Sequence, residues 1–157
     1  EDPIALAMKE AWQVHLGLET VIEIVEFPEY YESVKAGGYD LATLSWTGDY
    51  ADPFTFLGMW DSRSSFNDAR FNEPRFDRFL DESATLGHLP RLVKLREAED
   101  LLLTTCQVLP IEHYPAVNII DRRFVDGWYP NALDIHPFKD LVPKLGFNIP
   151  GVAMVRD

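Results

Sequence analysis

Apolar positions near the start of the chain recur first with a helical period and then in a strand-like run. Asp2 before Pro3 predicts an N-cap with proline at the first helical position, and Gly17 predicts the end of that helix. The positions that share one helical face are Ile4, Ala7, Met8, Ala11, Trp12 and His15. Residues 18–27 are rich in β-branched side chains and predict a strand whose two faces are both mixed.

A second helix and a second strand repeat this order. Pro28 opens a short helix that Gly37 and Gly38 close, and the mostly apolar residues 39–46 predict a strand. The succession of helix, strand, helix and strand is typical of an α/β sheet with crossover connections.

The middle of the chain is predicted to be helical. Residues 53–60 predict a short helix, and a further helix begins at Pro74. The aromatic residues Phe71, Phe76 and Phe79 are expected in the core. Residues 90–106 predict a long amphipathic helix whose apolar face carries Leu92, Leu95, Ala98, Leu102 and Thr105.

Prolines limit regular structure in the last part of the chain. Pro110 and Pro115 confine residues 108–120 to an edge strand or an irregular one. Four further prolines and three glycines predict a mostly irregular segment over residues 122–157. Within it, residues 126–131 predict a turn with Trp128 packed back against the protein.

Composition excludes several classes of function. The chain has 157 residues, 46% of them hydrophobic and 25% charged, as expected of one globular domain or one lobe of a larger protein. Its formal net charge of -12 argues against nucleic acid and anionic membranes as partners. Cys106 is the only cysteine, which excludes an intrachain disulfide and a cysteine-built metal site, and we expect it to be a small buried residue of the long helix.

The residues 45–53, SWTGDYADP, hold the strongest candidate chemistry. Strand ends in α/β folds are where ligand sites collect. Asp49 between Trp46 and Tyr50 suits an ammonium group, because a carboxylate gives a charge-assisted hydrogen bond and an aromatic face adds cation–π attraction. The alternative is that Asp49 or Asp52 caps the helix beginning at Pro53, a role that fits Asp52 well.

A second alternative is a hydrolase that uses Asp49 and Asp52 as an acid/base pair. Nucleophile-elbow, phosphate-binding and dinucleotide-binding motifs are absent from the sequence, so nothing else supports an enzyme. The four histidines lack the spacing of a helical zinc site, and we interpret them as structural residues. The sequence predicts no cofactor.

Residues 39–60, YDLATLSWTGDYADPFTFLGMW, resemble the characteristic segment of the oligopeptide- and dipeptide-binding proteins of ABC transporters, family 5 of the solute-binding proteins. In that family a strand ends in Trp, a short loop carries Asp, and Asp/Glu-Pro and Phe-Leu follow. Residues 5–40, 66–86 and 91–131 resemble the neighbouring family segments in the same order, so that the resemblance covers about residues 4 to 142.

The resemblance implies an α/β fold: the C-terminal lobe of a type II periplasmic-binding protein, with a mixed sheet flanked by helices. Residues 1–142 would form this ligand-binding lobe, without the N-terminal lobe, and residues 143–157 a tail of unassigned role. The chain starts abruptly at a helix cap, and we expect it to be part of a longer polypeptide.

The resemblance also implies a function and a set of site residues. Asp49 would pair with the α-ammonium group of a peptide, and Ser45, Trp46, Thr47 and Tyr50 would line the ligand. The protein would deliver cargo to an ABC permease outside the cytoplasm and catalyse no reaction. Nickel complexes, sugars and opines are the alternative ligands within the wider family, and nickel is disfavoured because the loop has no histidine.

Overall fold

The computed structural model describes residues 2–131 and 133–144, and its regular elements are predominantly helical. The elements are α1 (Pro3–Leu16), α2 (Phe27–Ala36), α3 (Phe54–Leu57), a 3-10 turn (Gly58–Trp60), α4 (Pro74–Ser83), α5 (His88–Thr104), β1 (Val125–Asp126), a second 3-10 turn (Phe138–Asp140) and β2 (Val142–Pro143). None of the described helices is both long enough and apolar enough to cross a bilayer.

The five helices form where local signals in the sequence predict them. The Asp2 carboxylate accepts a hydrogen bond from the Ile4 N–H at 2.8 Å, which satisfies one of the free amides at the start of α1. Gly17 and Gly37 end α1 and α2 with left-handed φ angles of 66° and 76°. The predicted proline starts of α2 and α4 are also confirmed.

The hydrophobic core lies between α4 and α5, and α3 packs against it. Phe71 and Phe76 meet edge to face with their ring centroids 5.3 Å apart, and both are buried, as predicted. The core residues are Leu57, Phe71, Phe76, Leu80, Leu95, Ala98 and Leu102. Since Leu57 belongs to α3, this packing fixes the helix that follows the SWTGDYADP segment.

Strand pairing in the described residues is limited to β1 and β2, which are antiparallel with Val125 opposite Pro143. The strands predicted at residues 18–27 and 39–46 do not form. Their β-branched composition favours an extended chain, but a strand also requires a partner for its backbone groups and burial of its side chains. Neither requirement is met in the described part of the chain, where Val21 is 90% exposed.

Two side chains connect α2 to later segments. The Tyr30 hydroxyl donates a hydrogen bond to the Thr43 carbonyl, just before the candidate loop. Arg70 donates one to the Ala36 carbonyl at 3.1 Å, at the end of α2. These contacts join the first part of the chain to the helical core.

The prediction for Cys106 is wrong. Helix α5 ends at Thr104, and Cys106 lies after it, exposed and with a φ angle of 55°. The apolar face of α5 is complete at Leu102, so the chain turns away before Cys106 can be buried.

The predicted tail at residues 143–157 lies outside the described residues, apart from its first two positions.

Candidate functional site

Thr55 of α3 holds the predicted ligand-binding loop through two hydrogen bonds. Its hydroxyl oxygen accepts the Asp49 backbone N–H at 2.9 Å, and its carbonyl oxygen accepts the indole N–H of Trp46 at 3.0 Å. Thr55 is only 6% exposed, so both bonds are partly shielded from water. The loop is therefore fixed to a helix that packs on the core.

Gly48 allows the loop to approach α3 closely. It is buried, and a Cβ atom at this position would lie 3.0 Å from the Thr55 methyl carbon and 3.0 Å from the ring of Phe56. Any larger residue would have to displace one of these neighbours or the loop itself. The glycine between Trp46 and Asp49 thus has a packing role.

Asp52 is fully engaged within the protein. Its Oδ1 accepts the Phe54 N–H at 2.9 Å, which confirms the predicted capping of the short helix. Oδ1 also accepts a hydrogen bond from Arg91 Nη2 at 2.9 Å, and Oδ2 accepts one from Arg91 Nη1. These arginine hydrogen bonds hold the pKa of Asp52 below its ordinary value, with the Phe54 amide acting in the same direction.

Asp49 is exposed, in contrast to Asp52. Within residues 2–131 and 133–144, no group donates a hydrogen bond to the Asp49 carboxylate and no cation pairs with it. The structure therefore separates the two carboxylates of the loop: one is bound by arginine and a backbone amide, and the other is open to a ligand.

The aromatic residues on either side of Asp49 are partly exposed. Trp46 is 37% exposed and packs edge to face on Phe66, with ring centroids 5.4 Å apart. Tyr50 is 47% exposed. Ser45 and Thr47 are exposed on the same loop. The predicted site residues are thus all exposed, although the indole N–H of Trp46 is used inside the protein and is not available to a ligand.

Asp49 and Tyr50 are not enclosed by other residues of the described part of the chain. A cavity of about 210 Å³ is lined by α1 and by residues 21–24, and it shares no residue with the loop. An exposed carboxylate binds a cation weakly because water screens the charge. Tight binding at Asp49 would therefore require a second surface that covers it.

The histidine predictions are confirmed at His136. Its Nε2 lies 2.8 Å from the Asp134 carboxylate, and its ring stacks on Trp128 at 5.1 Å. Trp128 packs back against the protein as predicted. Among the described residues, no group of three or more His, Cys, Asp or Glu side chains could hold a metal ion.

Sequence reasoning missed Thr55 and Arg91. Thr55 is a polar residue in an otherwise apolar helix, between Phe54 and Phe56, and a buried hydroxyl in such a place needs a partner. Arg91 stands near the start of α5, where the helix dipole disfavours a cation, so its position is itself a sign of an anionic partner. Neither signal identifies the partner, which in the case of Arg91 lies 39 residues away.

Residues 1–68 match the family model described as bacterial extracellular solute-binding proteins, family 5 Middle. The chain is 33% identical over 126 residues to the periplasmic murein peptide-binding protein MppA of Escherichia coli, which is 80% of this chain and 22% of that protein. It is 29% identical over 135 residues to the oligopeptide-binding protein OppA of Bacillus subtilis, which is 85% of this chain and 25% of that protein. The chain thus spans a quarter or less of these relatives' length.

Solved structures show the same relationship. The structure of the Escherichia coli murein tripeptide binding protein MppA matches with a TM-score of 0.64 and 32% identity, over 66% of this chain and 21% of that one. A periplasmic oligopeptide-binding protein from Borrelia burgdorferi matches with a TM-score of 0.67, over 90% of this chain and 29% of that one. Its identity of 22% supports a shared fold only.

Proposed function

This chain belongs to the family 5 bacterial extracellular solute-binding proteins, and we propose that it binds oligopeptides or dipeptides through their α-ammonium group for uptake by an ABC importer. Its fold is the predicted α/β type II periplasmic-binding fold. The relatives are named as peptide-binding proteins, which supports a peptide ligand. The contact with the α-ammonium group rests on Asp49.

The observation that carries this proposal is the different state of the two loop carboxylates. Asp52 is neutralised by Arg91, whereas Asp49 has no partner in the described residues. A ligand ammonium at Asp49 would form a charge-assisted hydrogen bond, and the exposed rings of Trp46 and Tyr50 would flank the ligand.

The remaining loop residues would contribute backbone contacts. Backbone groups around Ser45 and Thr47 would pair with the peptide main chain in the manner of an added strand. Such contacts do not depend on the peptide's side chains, so they are compatible with a broad range of sequences. Neutral ligands such as sugars would leave Asp49 unpaired, which favours an amine-bearing ligand.

The same observation argues against the hydrolase alternative. A hydrolytic pair of carboxylates needs one member with a raised pKa that can donate a proton. Arg91 lowers the pKa of Asp52 and occupies both of its oxygens. The relatives are solute-binding proteins, which is consistent with a protein that has no catalytic activity.

The proposal extends to location and domain structure. The periplasmic relatives support a location outside the cytoplasm, and we propose an ABC permease at the membrane as the partner. Residues 1–142 would form a ligand-binding lobe, and residues 143–157 a C-terminal tail of unassigned role. The second surface that covers Asp49 would come from another lobe closing over the ligand.

Calorimetry on the complete protein that contains this chain tests the amine contact. Peptides with a free amino terminus should bind at least about tenfold more tightly than their N-acetylated forms, because acetylation removes the charge that Asp49 recognises. Asp49→Asn should abolish this preference. Asp100→Asn, a change at an exposed aspartate of α5, should retain it. Equal binding of free and acetylated peptides by the unsubstituted protein would refute the proposed contact.

A further inference from the structure

We infer that Thr55 is the positioning residue of the amine site, setting the location of Asp49 without touching the ligand. This inference rests on the proposed function of Asp49. Three polar groups of Thr55 form hydrogen bonds with the loop. Its hydroxyl accepts the Asp49 N–H, its carbonyl accepts the Trp46 indole N–H, and its own N–H donates to the Asp52 carbonyl at 3.1 Å. One buried residue thus forms hydrogen bonds with three residues of the loop.

The hydroxyl is the part of Thr55 that controls Asp49. Its hydrogen bond to the Asp49 N–H is the only one that the described residues give to this amide, and it crosses six positions of the sequence. The preceding Gly48 packs against the Thr55 methyl group and offers no side chain of its own to hold the loop. Removal of the hydroxyl would leave the partly buried Asp49 N–H without its partner, so the Asp49 backbone would move to find water.

Thr55 is itself held firmly. Helix α3 buries Leu57 in the core, and the ion pair between Asp52 and Arg91 joins the start of α3 to α5. The Thr55 hydroxyl is therefore the direct link between the Asp49 backbone and the helical core. A charge-assisted hydrogen bond is sensitive to small displacements of its acceptor, so a shift of about 1 Å at Asp49 would weaken ammonium recognition.

The test compares Thr55→Val with Thr55→Ser in the complete protein. Valine keeps the shape of threonine and lacks the hydroxyl, whereas serine keeps the hydroxyl and lacks the methyl group. Thr104→Val is the matched control, because the Thr104 hydroxyl bonds only within the end of α5. For each variant, calorimetry measures the affinity ratio between a free peptide and its N-acetylated form, and thermal unfolding monitors the fold.

Thr55→Val should lower the affinity ratio by about tenfold. Thr55→Ser should retain most of the affinity ratio, and Thr104→Val should leave the ratio unchanged. If the valine variant keeps the full ratio, Thr55 does not position the site, even though the proposed function stands. If the ratio falls equally in the serine variant, packing of the methyl group is responsible and the hydroxyl role is refuted. An unsubstituted protein without any preference would refute the proposed function, and the positioning role with it.

Discussion

Arg91 in α5 binds both carboxylate oxygens of Asp52, across a separation of 39 residues. The two side chains are 23% and 30% exposed, so the pair is partly shielded from water. Through this pair the long helix of the core contacts the candidate loop. The pair also occupies both oxygens of Asp52, whereas the described residues give the Asp49 carboxylate no partner.

Asp52→Asn should lower the free energy of unfolding by about 1 kcal/mol. Asparagine can still accept the Phe54 N–H, so the change removes the charge and keeps the cap. The measurement is urea denaturation. Asp100→Asn provides a control, because Asp100 lies 4.0 Å from Arg96 and both side chains are largely exposed. Equal effects of the two substitutions would mean that the Asp52–Arg91 pair contributes nothing special to stability.

The contribution of this pair should depend on pH with a definite sign. The folded protein holds the pKa of Asp52 below its ordinary value of 3.8, chiefly through the hydrogen bonds from Arg91. A lowered pKa contributes stability above the ordinary value and loses it as pH falls through the folded value. The stability difference between the unsubstituted protein and Asp52→Asn should therefore be largest above about pH 5 and shrink towards pH 3. Denaturation at several pH values measures it, and a difference that grows on acidification would contradict the assignment.

The helices could be predicted from sequence because their signals are local. Asp2 and Pro3 start α1, and Gly17 and Gly37 end α1 and α2, each through its own backbone chemistry. The placement of Asp49 and Asp52 in one loop was equally plain. The difference between the two carboxylates could not be predicted, because Arg91, the partner of Asp52, is far away in sequence.

The two strands predicted at residues 18–27 and 39–46 could not be decided from local sequence. Val21 and Ile24 favour an extended chain, but extended segments become strands only when neighbours pair with them, and the described residues supply none. The prediction that Cys106 is buried was wrong for a related reason. Its helical spacing predicted burial, whereas the end of α5 depends on where the core stops.

Gly48→Ala should shift the candidate loop. The added methyl group would lie 3.0 Å from Thr55 and from Phe56, so the loop must move or the neighbours must yield, at a cost of about 1–2 kcal/mol. Urea denaturation should show this loss, and calorimetry should show a reduced preference for free over acetylated peptides. Gly87→Ala is the control for the peptide preference, because Gly87 lies at the start of α5, outside the loop, and a methyl group there meets nothing within 4 Å. Unchanged stability and preference in Gly48→Ala would show that the loop is not packed as closely as described.

Gly127→Ala should separate the paired strands β1 and β2. Gly127 has a φ angle of 87°, and a Cβ atom there would lie 1.8 Å from the Asp140 carbonyl oxygen, a distance that no rearrangement of side chains can relieve. The backbone must therefore separate, and the hydrogen bond from the Lys144 N–H to the Phe124 carbonyl, at 2.8 Å, should be lost. Hydrogen exchange at the Lys144 amide measures this directly.

Gly17→Ala separates the steric effect from the backbone effect. Gly17 also has a positive φ angle, of 66°, but a Cβ atom there would meet nothing within 4 Å. Its substitution should cost only the strain of a left-handed alanine, about 1 kcal/mol, and leave the Lys144 amide protected. Faster exchange of the Lys144 amide in Gly127→Ala alone is the expected result, because only there does backbone meet backbone. If Lys144 stays protected in Gly127→Ala, Gly127 and Asp140 do not approach each other as closely as described.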